Sequence, residues 1–163
     1  MKKNIFIILP FKESLNPNIA GAVSIYVQDA TKYSKFKKNI KIISSEKLNS
    51  KRFFRNKNYI KNFCDKYKNY KIDIIEIHNR PEYLRHIKDA FPKTKVTLVF
   101  HNDPQSLRGS QTYKEREYII DNCDKVIFIS RWIQQRFFAS FKNANLERTA
   151  LIYHGIKKDK NIN

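Results

Sequence analysis

The chain has 163 residues, 41% hydrophobic and 29% charged, which is enough for one sizeable core and too little for two ordinary domains. Its formal net charge of +18 points on its own to anionic partners, but lysine, asparagine and isoleucine are used heavily throughout and the basic residues are dispersed, as a solvated surface would have them. Cys64 and Cys123 share no Cys-x-x-Cys or Cys/His spacing, which excludes a structural zinc site and a thioredoxin-like redox motif and leaves two reduced core thiols.

In chain order, the opening Met1-Lys-Lys-Asn-Ile-Phe-Ile-Ile-Leu-Pro10 places lysines before an apolar run. That run is too short for a signal peptide and leads into Lys12 and Glu13 with no small-residue cleavage site, so it reads as a buried strand over 4–9. A loop over 10–19 follows, then a helix marked by Ala22, Val23, Tyr26, Val27, Ala30 and Tyr33 at three- and four-residue spacing. A short strand over 40–43 precedes a helical stripe within 51–70 through Phe53, Ile60, Phe63, Cys64 and Tyr67. Beyond a strand over 73–77, Pro81 opens a helix through Leu84, Ile87 and Phe91 that Pro92 closes. Strand 96–100, helix 112–122, strand 126–129, helix 131–141 and strand 150–153 complete the alternation, with a polar tail from Lys157. Strands separated by helices predict an α/β fold, a doubly wound, mostly parallel Rossmann-like sheet with helices on both faces. No apolar stretch approaches the length of a membrane span, which predicts a cytoplasmic chain that touches a membrane at most from its surface.

Four of these strands stop at polar clusters: Ile72-Asp-Ile-Ile-Glu-Ile-His78-Asn79-Arg80, Val96-Thr-Leu-Val-Phe-His101-Asn102-Asp103, Val126-Ile-Phe-Ile-Ser130-Arg131 and Leu151-Ile-Tyr-His154-Gly155-Ile156. In a parallel sheet the carboxyl ends share one edge, so these clusters converge on one crevice, the place where such folds bind ligands. The only glycines are Gly21, Gly109 and Gly155, too scattered for a G-x-G-x-x-G loop or a P-loop, which excludes a conventional NAD or ATP site. There is no G-x-S-x-G elbow. His78 and His86 are too far apart for one helical turn to bring them to a metal, so neither a metal nor a cofactor is expected.

The segment Asn18-Ile-Ala-Gly21-Ala-Val-Ser-Ile-Tyr-Val, the strand-end His101, the strand Asp124-Lys-Val-Ile-Phe-Ile-Ser130 and the closing Leu151-Ile-Tyr-His154-Gly155-Ile156 together resemble the amino-terminal half of a GT-B retaining glycosyltransferase of family 4. The resemblance spans nearly the whole chain. It departs from the family pattern where Ala20 replaces the first of two paired glycines and where His154-Gly155-Ile156 stands in place of Asn-Gly-Val.

The resemblance implies a Rossmann-like acceptor-side domain over 1–156, with 157–163 as the start of an interdomain linker. It implies a nucleotide-sugar donor held mostly by a carboxyl-terminal half that lies outside this sequence, a glycan or lipid-linked acceptor, and no transfer by this half alone. His101 would sit beside the donor sugar as the catalytic group. A location at the inner face of the membrane would suit a lipid-linked acceptor.

The residues themselves support roles on the substrate side. Gly21, at the start of the first helix, lets backbone N–H groups approach a diphosphate, or simply makes a tight turn. Asn102 and Asp103 suit sugar hydroxyls, though Asp103-Pro104 is also a turn signal. His78 and Asn79 belong to the same edge, and Arg80 or Arg108 could grip an acidic acceptor group or a phosphate in a two-pronged contact. Ser130 ends a strand at the crevice and also reads as a helix cap. His154 reads as part of the hinge between halves. Two readings from other classes stay open. One is a nucleic-acid module, because 51–59 and 66–71 interleave bases with aromatics; the other is a non-catalytic binding or scaffold domain.

Overall fold

The computed structural model describes residues 3–48, 58–142 and 146–155, and among them runs of β-branched and aromatic residues form six short strands that alternate with five α-helices. The order is β1 (Ile5–Ile8), α1 (Ala22–Tyr33), β2 (Ile40–Ile43), α2 (Tyr59–Tyr67), β3 (Ile74–His78), α3 (Tyr83–Ala90), β4 (Lys95–Phe100), α4 (Tyr113–Asn122), β5 (Lys125–Phe128), α5 (Arg131–Phe138) and β6 (Thr149–Leu151). The strands pair in parallel in the order β2-β1-β3-β4-β5-β6. This is the α/β Rossmann-like arrangement that the alternation of periods predicts.

The strands are apolar on both sides because both sides are covered by helices, as parallel sheets require. Phe6, Ile8, Ile75, Ile77, Leu98, Phe100, Val126 and Phe128 pack with α2 to α5 in the larger core, while Ile7 and Leu9 meet Val23 and Val27 of α1 on the opposite face. The chain moves from β1 to β2 in one direction and then crosses back past β1 to β3, β4, β5 and β6. Right-handed crossovers therefore put α1 on its own side and open a switch point between β1 and β3. The carboxyl ends of β1, β3 and β4 surround that point.

Two helix ends differ from the sequence expectation. Pro81 lies two residues ahead of α3, in a turn in which the N–H of Tyr83 donates to the Arg80 carbonyl at 3.0 Å and that of Leu84 to the Pro81 carbonyl at 3.0 Å. The last helix stops at Phe138, short of 141, because Arg116, 3% exposed, draws the Ala139 carbonyl onto its guanidinium at 3.0 Å and Ser140 adopts a φ of 76°. Phe141 then folds back towards Phe137 with ring centroids 6.1 Å apart. In the expected stripe over 51–70, Ile60, Phe63, Cys64 and Tyr67 are buried on α2, while Phe53 lies outside the described residues.

The same burial bears on the nucleic-acid reading, since Tyr59 and Tyr67 are core residues and cannot stack on bases without unfolding α2. The rest of the first basic segment, residues 51–57, lies outside the described residues. Cys64 and Cys123 are free buried thiols, pushed up to about 11 and about 12 chiefly by burial. Among the described residues no helix is long and apolar enough to cross a membrane.

Candidate functional site

β3 and β4 pair with His78 opposite Val99, so the residues that leave the two strands emerge side by side on the carboxyl edge. Glu76 and His78, two residues apart on one strand, project to the same face of the sheet. Glu76 Oε1 lies 2.7 Å from His78 Nε2, and His78 Nδ1 lies 2.8 Å from His101 Nε2. His78 is fully buried, at 0% exposure. The three side chains form one hydrogen-bonded row from the sheet face to the strand ends.

The imidazole of His101 is pushed down to about 3, first by burial and then by the neighbouring His78 and His154. It is therefore neutral at physiological pH and works as a hydrogen-bonding group, not as a cation. A histidine whose folded value is depressed binds fewer protons folded than unfolded, so it contributes stability above its ordinary value and loses it as pH falls towards 3. Urea unfolding is expected to weaken by up to about 1.4 kcal/mol per pH unit below roughly pH 6 through this one group. The slope should flatten in His101→Asn, and equal slopes in both proteins would contradict this account of the site.

Asn79 fixes the loop that carries His101. Its φ of 51° places it in the left-handed region, which asparagine tolerates better than most residues. Its Oδ1 accepts from the backbone N–H of His101 at 2.7 Å and of Asn102 at 3.2 Å, and its Nδ2 donates to Asn102 Oδ1 at 3.2 Å. Both ends of the amide are thereby engaged in the protein. Asn102 itself is exposed. Arg80 folds back so that Nη1 donates to the Asn79 carbonyl at 2.9 Å, and its Nε lies 4.0 Å from Glu82.

The remaining predicted positions are more dispersed. Asp103 accepts from Gln105 N–H at 3.0 Å and receives Arg136 at 2.9 to 3.2 Å, an ion pair that holds its carboxyl below the usual range. It staples the β4–α4 loop to α5. Ser130 caps α5, its Oγ accepting from Ile133 N–H at 3.2 Å. Arg108 turns away to a side pocket of about 200 Å³ shared with Pro81, Glu82, Arg85, Glu115 and Tyr118. Gly21 stands at the start of α1, where the carboxylate of Glu13 sits within 2.5 Å of the place a Cβ would take and accepts from Ser24 N–H at 3.1 Å. The missing side chain at Gly21 thus makes room for an internal anion on the helix N-terminus.

Three further residues line the crevice, and two of them, Tyr26 and Glu76, carry no signal of their own in the sequence. Tyr26 of α1 stacks on His154 at 4.2 Å and meets His101 edge-on at 5.1 Å. Burial raises its hydroxyl above the ordinary range, with the Glu76 charge adding to the effect. His154 lies 5.1 Å from His101 by ring centroids. It comes from the segment after β6, which bonds β5 through Ile152 N–H to the Phe128 carbonyl at 2.9 Å before reaching α1. His154, read from the sequence as part of a hinge, thus also packs on the crevice side against Tyr26 and His101. Glu76 is the third, the polar partner of His78.

No protein-family model matches this chain. Over 84 residues, 52% of this chain and 20% of the other, it is 29% identical to the Bacillus subtilis (strain 168) protein named "Putative glycosyltransferase YtcC". The sequence likeness is to a glycosyltransferase. The fold is also that of Anabaena Alr3699/HepE, crystallised in complex with UDP and glucose, at a TM-score of 0.57 and 16% identity, with 94% of this chain covered. The match covers 45% of that second protein, so this chain spans less than half the length of either similar protein.

Proposed function

We propose that residues 1–156 are the acceptor-side half of a GT-B retaining glycosyltransferase of the family 4 type, with 157–163 opening the linker to a donor-binding half. The observation that carries this reading is His101: a neutral imidazole at the end of central β4, fixed from behind by His78 and through its backbone by Asn79. It stands at the switch point of a Rossmann-like sheet. The likeness to a glycosyltransferase in sequence, and in fold to a protein that binds UDP and glucose, supports the same assignment.

In this reading the donor is a nucleotide-sugar, and His101 hydrogen-bonds a hydroxyl of its sugar. Asn102 and Arg80, at the mouth of the crevice, take polar groups of a glycan or lipid-linked acceptor, which would place the enzyme at the inner membrane face. Tyr26 and His154 supply an aromatic wall for the sugar ring. The diphosphate reaches the N-terminus of α1 only where Glu13 turns aside, because that carboxylate already lies on the helix end. The basic groups that neutralise the leaving diphosphate belong to the donor-binding half.

The test is sugar transfer by the chain alone and by the chain joined to a donor-binding half. The isolated chain is expected to fold and transfer nothing, since stabilisation of charge on the leaving group is the larger part of such catalysis. The joined protein is expected to transfer sugar from a nucleotide-sugar. Robust transfer by the chain alone, or a folded joined protein inert towards every nucleotide-sugar, would overturn the proposal.

A further inference from the structure

A buried histidine with both ring nitrogens engaged has its proton assigned by its partners, and His78 is such a residue. Its Nε2 faces Glu76 Oε1 at 2.7 Å and its Nδ1 faces His101 Nε2 at 2.8 Å. A carboxylate only accepts, so His78 donates from Nε2. For a ring that carries one proton, Nδ1 then accepts, and the donor opposite it is Nε2–H of His101. That leaves the lone pair of His101 on Nδ1.

We infer that Glu76 is a positioning residue which, acting through His78, holds His101 as the Nε2–H tautomer and so makes Nδ1 of His101 a hydrogen-bond acceptor in the crevice. This rests on the reading of His101 as the group beside the sugar, and it specifies what that group offers: a lone pair for a sugar hydroxyl, not an N–H for a sugar oxygen. The arrangement resembles the outer-shell logic by which a carboxylate fixes the tautomer of a functional histidine, lengthened here by one imidazole. Glu76 is 29% exposed in its side chain while His78 is sealed, so the carboxylate keeps a solvated flank beside a buried ring. The other polar groups close to the row are Tyr26 and His154. Tyr26 ranges along it from Glu76 to His101, and neither group displaces a bond within it.

Long-range proton–nitrogen spectra of the chain labelled with ¹⁵N-histidine, near pH 7.5, read the tautomers directly and require no activity. Wild-type His78 and His101 are both expected as Nε2–H forms, with a tautomer ratio of about ten to one or more, as a hydrogen bond to a charged group sets. In Glu76→Leu the ratio at His101 should collapse to within about threefold of unity. In Glu76→Gln, whose amide oxygen still accepts, the Nε2–H form should persist, with the His78 proton moved upfield from its charge-assisted position.

A wild-type His101 protonated on Nδ1, or variants that leave both the ratio and the His78 proton unchanged, would overturn the inference. Should Glu76→Leu fail to fold, the wild-type tautomer and the Glu76→Gln proton shift decide the matter alone. Because the readout is spectroscopic, a negative result here would leave the glycosyltransferase reading standing, and an inert joined enzyme would leave the tautomer assignment standing.

Discussion

His101→Ala in the joined enzyme should lower turnover at least about a hundredfold while His86→Ala leaves it within about twofold, a difference set by where the fold places two chemically identical side chains. His86 is exposed on α3, and its recorded contact is through its backbone carbonyl, 3.6 Å from Cys64 Sγ. His101 is half-buried at the end of β4 and held at both ends, through its ring by His78 and through its backbone by Asn79. There, one hydrogen bond that strengthens at the transition state contributes roughly 2–4 kcal/mol, equivalent to the predicted loss. Removing the ring also leaves buried His78 Nδ1 without its donor, which costs about 1–3 kcal/mol of stability. Steady-state kinetics must therefore be read beside thermal melts. A folded His101→Ala protein with near wild-type turnover would show that the imidazole only closes the strand end.

What could be read from the sequence was the direction of the strands. Alternating strand and helix periods dictate parallel pairing, and parallel pairing collects every strand end on one edge, which is why the clusters at His78, His101, Ser130 and His154 are expected on one crevice. What could not be read was register. The row from Glu76 to His101 exists because β3 and β4 pair with His78 opposite Val99, and nothing in either strand alone encodes that pairing. In the sequence Glu76 is simply the polar step in an alternating strand.

Loops hid the most. Glu13 reaches the start of α1 across a turn whose path depends on Ser14, which donates to Glu46, and on Ser24, which donates to the Ser14 carbonyl. A glycine read as open to an outside anion thus faces an inside one. The chain's return from β6 to Tyr26 has no signature in the residues after Leu151. Pro81 shows the limit of a propensity rule. A fixed φ suits the first helical position and equally suits the turn before it, and here the turn bonded to Arg80 holds it.

Asn79→Ala should be the most destabilising single change at the crevice, by roughly 2–4 kcal/mol. Two separate costs add. The backbone at Asn79 has a φ of 51°, where an ordinary side chain is strained by about 1 kcal/mol or more and asparagine by less. The larger cost comes from the backbone N–H groups of His101 and Asn102, which both donate to Asn79 Oδ1. Alanine leaves them without an acceptor at a site where Asn79 itself is only 5% exposed, and an unsatisfied buried donor costs about 1–3 kcal/mol.

Asn79→Gly separates the two, because glycine adopts the left-handed backbone freely yet supplies no acceptor. It should recover only the strain, so the expected order of stability is wild type, then glycine, then alanine. Amide hydrogen exchange gives the second readout, with the His101 and Asn102 amides losing protection in both variants while the β4 amides before them keep theirs. Urea midpoints for both variants within experimental error of wild type would mean that the loop holds its shape without this side chain. His101 would then be aimed by His78 alone.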